Sequence, residues 1–231
     1  MSAQHHALIL AGGEGKRVGG EVPKQFLPVA GMPIIIRTIK AFLKAIPDIN
    51  LIVVGASRWN DHYLDLANEW DLPKHHAVVT GGDTRFASVV NGLRALRAGA
   101  SDGVVAVHDA VRPLVTEDLI LRAFTEAEAF GSAVPVVEIR ESVREVEGDV
   151  SSSFSRDRLR LVQTPQCFRL ADLIKGYEQP HDPTFTDCAT VMESAGYKIH
   201  LIEGERGNIK ITTREDLEFA QWQLASEKVT P

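Results

Sequence analysis

Five short apolar runs, at residues 7–11, 51–55, 77–80, 103–108 and 132–137, are nearly continuous and rich in β-branched side chains. A strand with one face in water alternates apolar and polar residues. An unbroken run marks a strand covered on both faces. Longer stretches with helical spacing separate these runs, at 34–45, 59–70, 85–98 and 117–130. Strand and helix in alternation predict an α/β chain built on a doubly wound, mostly parallel sheet. Ligands of such sheets bind beyond the carboxyl ends of the strands, so the residues just after each run carry the functional interest.

The alternation breaks after residue 137. The segment 138–160 mixes charges of both signs and contains the polar run Ser151-Ser152-Ser153, which suits a hairpin arm or a long solvated loop. Helical spacing returns at 169–179 and 187–196, a strand is expected at 199–203, and a closing helix at 215–227. Thr212 and Glu215 have the spacing of a capping box for that last helix. The 231 residues are 44% hydrophobic, enough for one sizeable core, so a single domain spanning 1–231 with an arm at about 138–160 is expected.

No apolar run approaches the roughly 20 residues that cross a bilayer. The first residues also lack the basic and apolar blocks of a secretory leader, so a cytoplasmic protein with no membrane partner is expected. Cys167 and Cys188 are the only cysteines and do not form a CxxC pair, which makes idle thiols the expectation. The formal net charge of −6 argues against a nucleic-acid-binding surface. A small nucleotide needs only a few local cations.

Those cations follow the first strand. Leu10-Ala11 runs into Gly12-Gly13-Glu14-Gly15-Lys16-Arg17, with Lys24 a short way on. Glycines let backbone N–H groups approach a phosphate with no Cβ in the way. A Walker loop is excluded, because Leu10 stands where its first glycine belongs and Arg17 where it needs Ser or Thr. A dinucleotide fingerprint fits poorly. Val18 holds its third glycine position, and no acidic residue lies in the stretch that would reach a ribose. A bare glycine turn with no ligand is the plain structural alternative.

The ordered motifs here resemble those of sugar-phosphate nucleotidyltransferases. Leu10-Ala-Gly-Gly-x-Gly-Lys-Arg17 is followed by Pro23-Lys24-Gln25-Phe26-Leu27, Gly81-Gly82-Asp83-x-Arg85-x-x-Ser88 and Val107-His108-Asp109-Ala110-x-Arg112-Pro113. Gln163-Thr164-Pro165-Gln166 and Glu203-Gly204-x-x-x-Asn208-Ile209-Lys210-Ile211-Thr212 complete the set. Within that group the sequence is similar to the 2-C-methyl-D-erythritol 4-phosphate cytidylyltransferase family of the non-mevalonate isoprenoid route. The resemblance implies a Rossmann-like nucleotidyltransferase fold with a protruding dimerisation arm. It implies attack by a substrate phosphate oxygen on the α-phosphorus of CTP, with pyrophosphate leaving and magnesium assisting.

By resemblance, Arg17 and Lys24 stabilise the transition state, and Arg156 and Lys210 hold the attacking phosphate. CTP is bound by Ala11, Gly12, Gly13, Gly15, Gly82, Asp83 and Ser88. Asp109, Arg112, Ser142, Thr164 and Thr186 contact the acceptor substrate, and Asp109 lies at the metal. Arg156 sits on the arm, which in the family crosses to a second subunit, so a homodimer with shared active sites is implied. The chemistry agrees: displacement at phosphorus without a covalent enzyme intermediate needs positioning and positive charge, not a nucleophilic side chain. His108 has no partner at metal-ligand spacing and is read as structural.

Two positions depart from the family pattern. Glu141-Ser142 replaces Asp-Thr, and Thr186-Asp187-Cys188 carries a thiol where the family has an acid. A sister enzyme activating ribitol 5-phosphate with CTP for cell-wall polymers shares these motifs and is the nearest alternative. A non-catalytic nucleotide-binding regulator on the same fold is the alternative of another class. Cations expected at both phosphates argue against it.

Overall fold

The structure is a computed structural model that describes residues 4–13, 22–73, 76–97 and 102–227. In chain order the described elements begin with β1 (His5–Ala11), a 3-10 turn (Lys24–Phe26), β2 (Pro28–Val29), β3 (Met32–Pro33) and α1 (Ile34–Ala45). They continue with β4 (Asn50–Gly55), α2 (Asn60–Glu69), β5 (Ala77–Thr80), α3 (Arg85–Arg97), β6 (Val104–Asp109) and α4 (Glu117–Phe130). Then come β7 (Ser132–Glu138), β8 (Val143–Glu147), β9 (Val150–Phe154), β10 (Arg160–Val162) and β11 (Gln166–Arg169). The chain closes with α5 (Leu170–Gly176), α6 (Cys188–Ser194), β12 (Leu201–Glu203) and α7 (Arg214–Glu227).

The main sheet runs β10-β7-β11-β6-β1-β4-β5, with β12 also paired to β7. Strands β5, β4, β1 and β6 are mutually parallel, and β11 is antiparallel to both β6 and β7. This is the expected α/β architecture with two reversed strands, β11 and the edge strand β10. Adjacent residues of β1 serve opposite faces. Ala7 and Ile9 pack with Ile39, Phe42 and Phe124 of α1 and α4, and Leu8 packs with Val89 and Leu93 of α3 and Leu173 of α5. Burial on both sides explains why the strand reads as a continuous apolar run.

The helices end where their caps place them. Thr116 Oγ1 accepts from Leu119 N–H to start α4, and Gly131, at φ 89°, ends it in the left-handed region where glycine has no penalty. At α7 the expected Thr212–Glu215 box is replaced by one a residue further on. Thr213 N–H donates to Asp216 Oδ2 at 2.8 Å, and Asp216 N–H donates to Thr213 Oγ1 at 3.3 Å. Asp216 also accepts from the Thr212 hydroxyl at 2.7 Å, so one carboxylate holds both threonines.

Strands β10 and β11 fall in a stretch without an expected strand. The chain between them turns through a cis Thr164–Pro165 peptide bond. Segment 138–160 does form a hairpin, β8 with β9, and every residue of both strands except Val143 is exposed. Residue 98, expected to end the third helix, lies outside the described residues.

Candidate active site

A cavity of about 490 Å³ opens at the carboxyl ends of β1, β5 and β6. The strand order reverses about β1, so this is the crevice where a doubly wound sheet binds ligands. Its wall contains Ala11, Gly12, Gly13, Lys24, Gly82, Asp83, Ser88, Asp109 and Lys210, nine residues singled out in the sequence. Gly15, Lys16 and Arg17 lie outside the described residues.

The glycines are used in two ways. A Cβ on Gly13 would meet nothing within 4 Å, so its backbone is open to the cavity. Gly81 and Gly82 are crowded instead. A Cβ on Gly81 would stand 2.8 Å from Ser88 Oγ, and one on Gly82 would run into Ala87. Gly82 N–H donates to Ser88 Oγ at 3.1 Å, so the loop after β5 is tied to the first turn of α3. Lys24 begins the 3-10 turn, closed by Phe26 N–H to Pro23 O and anchored by the buried Phe26 ring.

Asp109, the last residue of β6, is the charged centre. Its Oδ2 lies 3.0 Å from Lys210 Nζ and 3.6 Å from Arg112 Nε. Burial works against its charge, but the nearby cations Lys210, Arg85 and Arg112 outweigh it and bring the carboxyl down to about 2. It is therefore a fixed anion at neutral pH, holding Lys210 at the cavity wall.

Beneath Asp109 the hydrogen bonds can be oriented by elimination. Arg112 C=O can only accept, so His108 Nε2, 3.3 Å away, carries the proton. Nδ1 is then an acceptor and takes the Thr164 hydroxyl at 3.1 Å. That leaves Thr164 Oγ1 to accept Asp109 N–H, also at 3.1 Å. Burial holds His108 neutral, with its pKa lowered to about 3. His108 is thus structural, as expected, and it supports Asp109 through Thr164. Asn208 Nδ2 donates to Thr164 C=O at 2.8 Å, which ties this group to the segment carrying Lys210.

Five expected residues stand away from the cavity wall of the single chain. Arg112 is turned inward, donating to Asn208 C=O at 2.8 Å and Val162 C=O at 3.5 Å, so its guanidinium braces the loops behind Asp109. Thr164 lies buried in the layer just described. Thr186 is exposed, with its N–H on Thr190 Oγ1 at 3.2 Å, and Ser142 is exposed on the hairpin arm. Arg156 donates to Arg140 C=O in a separate surface hollow shared with Glu138 and Arg160.

Five wall residues had been given no role, Gln25 and Arg85 among them. Gln25 is buried against the glycine loop. Arg85, in the first turn of α3, also lines the cavity, and its Nη1 donates to Cys188 Sγ at 3.2 Å. Tyr177 O–H reaches the same sulfur at 3.2 Å. Cys188 therefore sits directly behind a cavity arginine. Only the motif spacing Asp83-x-Arg85 pointed to that arginine, because a cation at a helix start otherwise reads as surface charge.

Residues 5–226 match the family model described as IspD, 2-C-methyl-D-erythritol 4-phosphate cytidylyltransferase. The chain belongs to this family. Proteins named 2-C-methyl-D-erythritol 4-phosphate cytidylyltransferase include one from Bacteroides fragilis, 46% identical over 93% of this chain and 96% of its own length. Another, from Porphyromonas gingivalis, is 40% identical over 98% of this chain and all of its own length. Among solved structures, the Thermus thermophilus protein of the same name is 30% identical with a TM-score of 0.77, covering 96% of this chain and 99% of that one. The 4-diphosphocytidyl-2C-methyl-D-erythritol synthase of Anaerococcus prevotii aligns with a TM-score of 0.82 at 26% identity, covering 96% of each chain. Membership accounts for the cavity at the sheet edge and for the ordered motifs that line it.

Proposed function

We infer that this chain transfers a cytidylyl group from CTP to 2-C-methyl-D-erythritol 4-phosphate. An oxygen of the acceptor's phosphate attacks the α-phosphorus of CTP, a new P–O bond forms, and the bond to the β-phosphate oxygen breaks, releasing pyrophosphate. The observation that carries this reading is the convergence of an open glycine loop, Lys24, Lys210 and the fixed anion Asp109 on one cavity. Ala11, Gly12, Gly13 and Gly15 take the triphosphate, and Gly82, Asp83 and Ser88 take the base and ribose. Lys24, with Arg17, offsets charge building at the α-phosphate, and Lys210 orients the attacking phosphate.

Magnesium fits the site. Among the described residues, no group of three or more His, Cys, Asp and Glu could hold a metal unaided. One ionised carboxylate suffices for an ion that takes its other ligands from phosphates and water, and Asp109 is that carboxylate. The ion would supply charge neutralisation on the triphosphate.

The reading extends to a homodimer. The β8–β9 arm leaves Val146 68% and Val150 72% exposed, and an arm that buries neither face gains by packing on a second copy. Arg156 and Ser142 would then complete the partner's acceptor site, and Arg112, Thr164 and Thr186 would shape it from behind or from its rim. A cytoplasmic location accords with both cysteines being free and buried. The net charge of −6 favours small-molecule partners over nucleic acid.

The test is pyrophosphate release from CTP and magnesium with methylerythritol phosphate, ribitol phosphate or no acceptor. Release with methylerythritol phosphate alone is expected. Release only with ribitol phosphate would reassign the acceptor. No release with either would leave a nucleotide-binding protein without this activity.

A further inference from the structure

The Gln25 side chain joins the segments on either side of residues 14–21. Gln25 is 2% exposed, and its Nε2 donates to Ala11 C=O at 2.7 Å and to Gly13 C=O at 3.1 Å. These two oxygens belong to the loop that must receive the most negative part of CTP. A carbonyl oxygen facing the cavity would repel phosphate and would have to turn away before binding. With both carbonyls engaged by a buried amide, that turn is already made.

The consequence for the donors follows from peptide geometry. In a trans peptide the C=O and the following N–H point in opposite directions. Fixing Ala11 C=O on Gln25 therefore aims Gly12 N–H away from Gln25. Gly12 lines the cavity, and a Cβ there would meet only Ser88 Oγ, at 3.9 Å. Of the neutral side chains, a carboxamide meets the need well. It brings two N–H groups on one nitrogen, enough for two carbonyls, and adds no charge that would compete for phosphate. Its neighbour Lys24 lines the same cavity, so the clamp also sets where the 3-10 turn stands relative to the loop.

We propose that Gln25 is a positioning residue for the triphosphate, holding the carbonyls of Ala11 and Gly13 turned away and the Gly12 N–H presented to phosphate. The inference rests on CTP occupying this cavity. It assigns Gln25 no contact with the reacting atoms.

Gln25→Met keeps the length and roughly the volume but removes both donors. Titration calorimetry with magnesium would compare CTP, CMP and inorganic tripolyphosphate on wild type and variant. The expected result is about tenfold weaker binding of CTP and of tripolyphosphate, the scale of a lost buried hydrogen bond, with CMP changed much less. A general loosening of the fold would weaken all three together, and that result would overturn the proposal. Unchanged binding of all three would overturn it as well. Gln25→Glu, which places a carboxylate against the two carbonyls, should weaken tripolyphosphate further than Gln25→Met. If Gln25→Met does not fold, the same three-ligand comparison on Gln25→Glu or on Gln25→Asn, which keeps the amide but shortens its reach, decides the matter by the same criterion. Failure of wild type to bind CTP would count against the active-site reading itself and is separable from failure of the clamp.

Discussion

The cavity at the carboxyl ends of the strands and the hairpin arm are built on opposite terms. At the cavity, Asp109 is held by its backbone through Thr164 and by its side chain through Lys210, and each supporting group has partners of its own. On the arm, Ser142 and Arg156 are exposed, and β9 buries no residue. The residues around Asp109 are preorganised within one chain, where the sheet edge and its helices can over-determine them. Ser142 and Arg156, two of the residues expected to meet the acceptor, are carried instead on an arm whose strands are almost wholly exposed. On the homodimer proposed above, the cavity would be a property of the fold and the arm's contribution a property of assembly.

The strongest way to break this contrast is to strike each half separately. Lys24→Ala should lower kcat by about 10²–10³-fold, the range seen when one preorganised donor to a developing charge is lost. Its effect on CTP affinity should be far smaller. Steady-state kinetics beside a direct CTP binding measurement separates the two, and a loss confined to affinity would reduce Lys24 to a binding residue. Arg156→Ala should lower kcat/KM for the acceptor by about 10²-fold, again with little change in CTP affinity. The decisive experiment mixes the two inactive variants. If arms cross between subunits, mixed dimers hold one site with both cations intact, and activity returns on mixing. If each arm serves its own chain, the mixture stays as inactive as its parts.

The same contrast explains what could be read from the sequence. Helices α1 and α4 begin and end where the spacing placed them, because the buried face of each recurs at helical spacing. Strand β5 also has its expected bounds, but it is the edge of the sheet and buries no residue, so its apolar run does not mark cover on both faces. Strand β11 was invisible. Gln166-Cys167-Phe168-Arg169 is short, follows a proline and carries a polar residue at each end, yet it fills the centre of the sheet between β6 and β7. Gln166 is buried because its side chain receives Cys188 N–H and Ala189 N–H at the start of α6. Nothing local in the sequence announces that. The cavity cations were legible by motif, but the direction in which a cation points was not. Arg112 follows β6 closely and looks suited to a ligand; the turn after Asp109 folds it inward onto backbone carbonyls. Arg85 looks like helix surface and instead faces the cavity.

The preorganised half should also leave a signature in stability against pH, the smallest of these effects. His108 faces Asp109, Arg112, Thr164 and the ring of Phe42, and burial keeps it neutral with a pKa lowered to about 3. An unfolded chain protonates the same histidine near pH 6.5. Below that pH the unfolded state takes up a proton that the native state refuses, so native stability is complete above about 6.5 and falls as the pH is lowered toward 3. His6, also buried and lowered, works in the same direction, while Asp109 adds its share only below its ordinary range, as the pH approaches about 2. Each histidine can contribute a slope of up to about 1.4 kcal/mol per pH unit. Urea unfolding of the metal-free protein from pH 7 to 4 should therefore show a steady loss of stability. His108→Gln should cut that slope by close to one proton while lowering stability at pH 7. A slope unchanged in His108→Gln would mean that the ring accepts a proton in the native state, and the orientation derived for Thr164 beneath Asp109 would then be wrong.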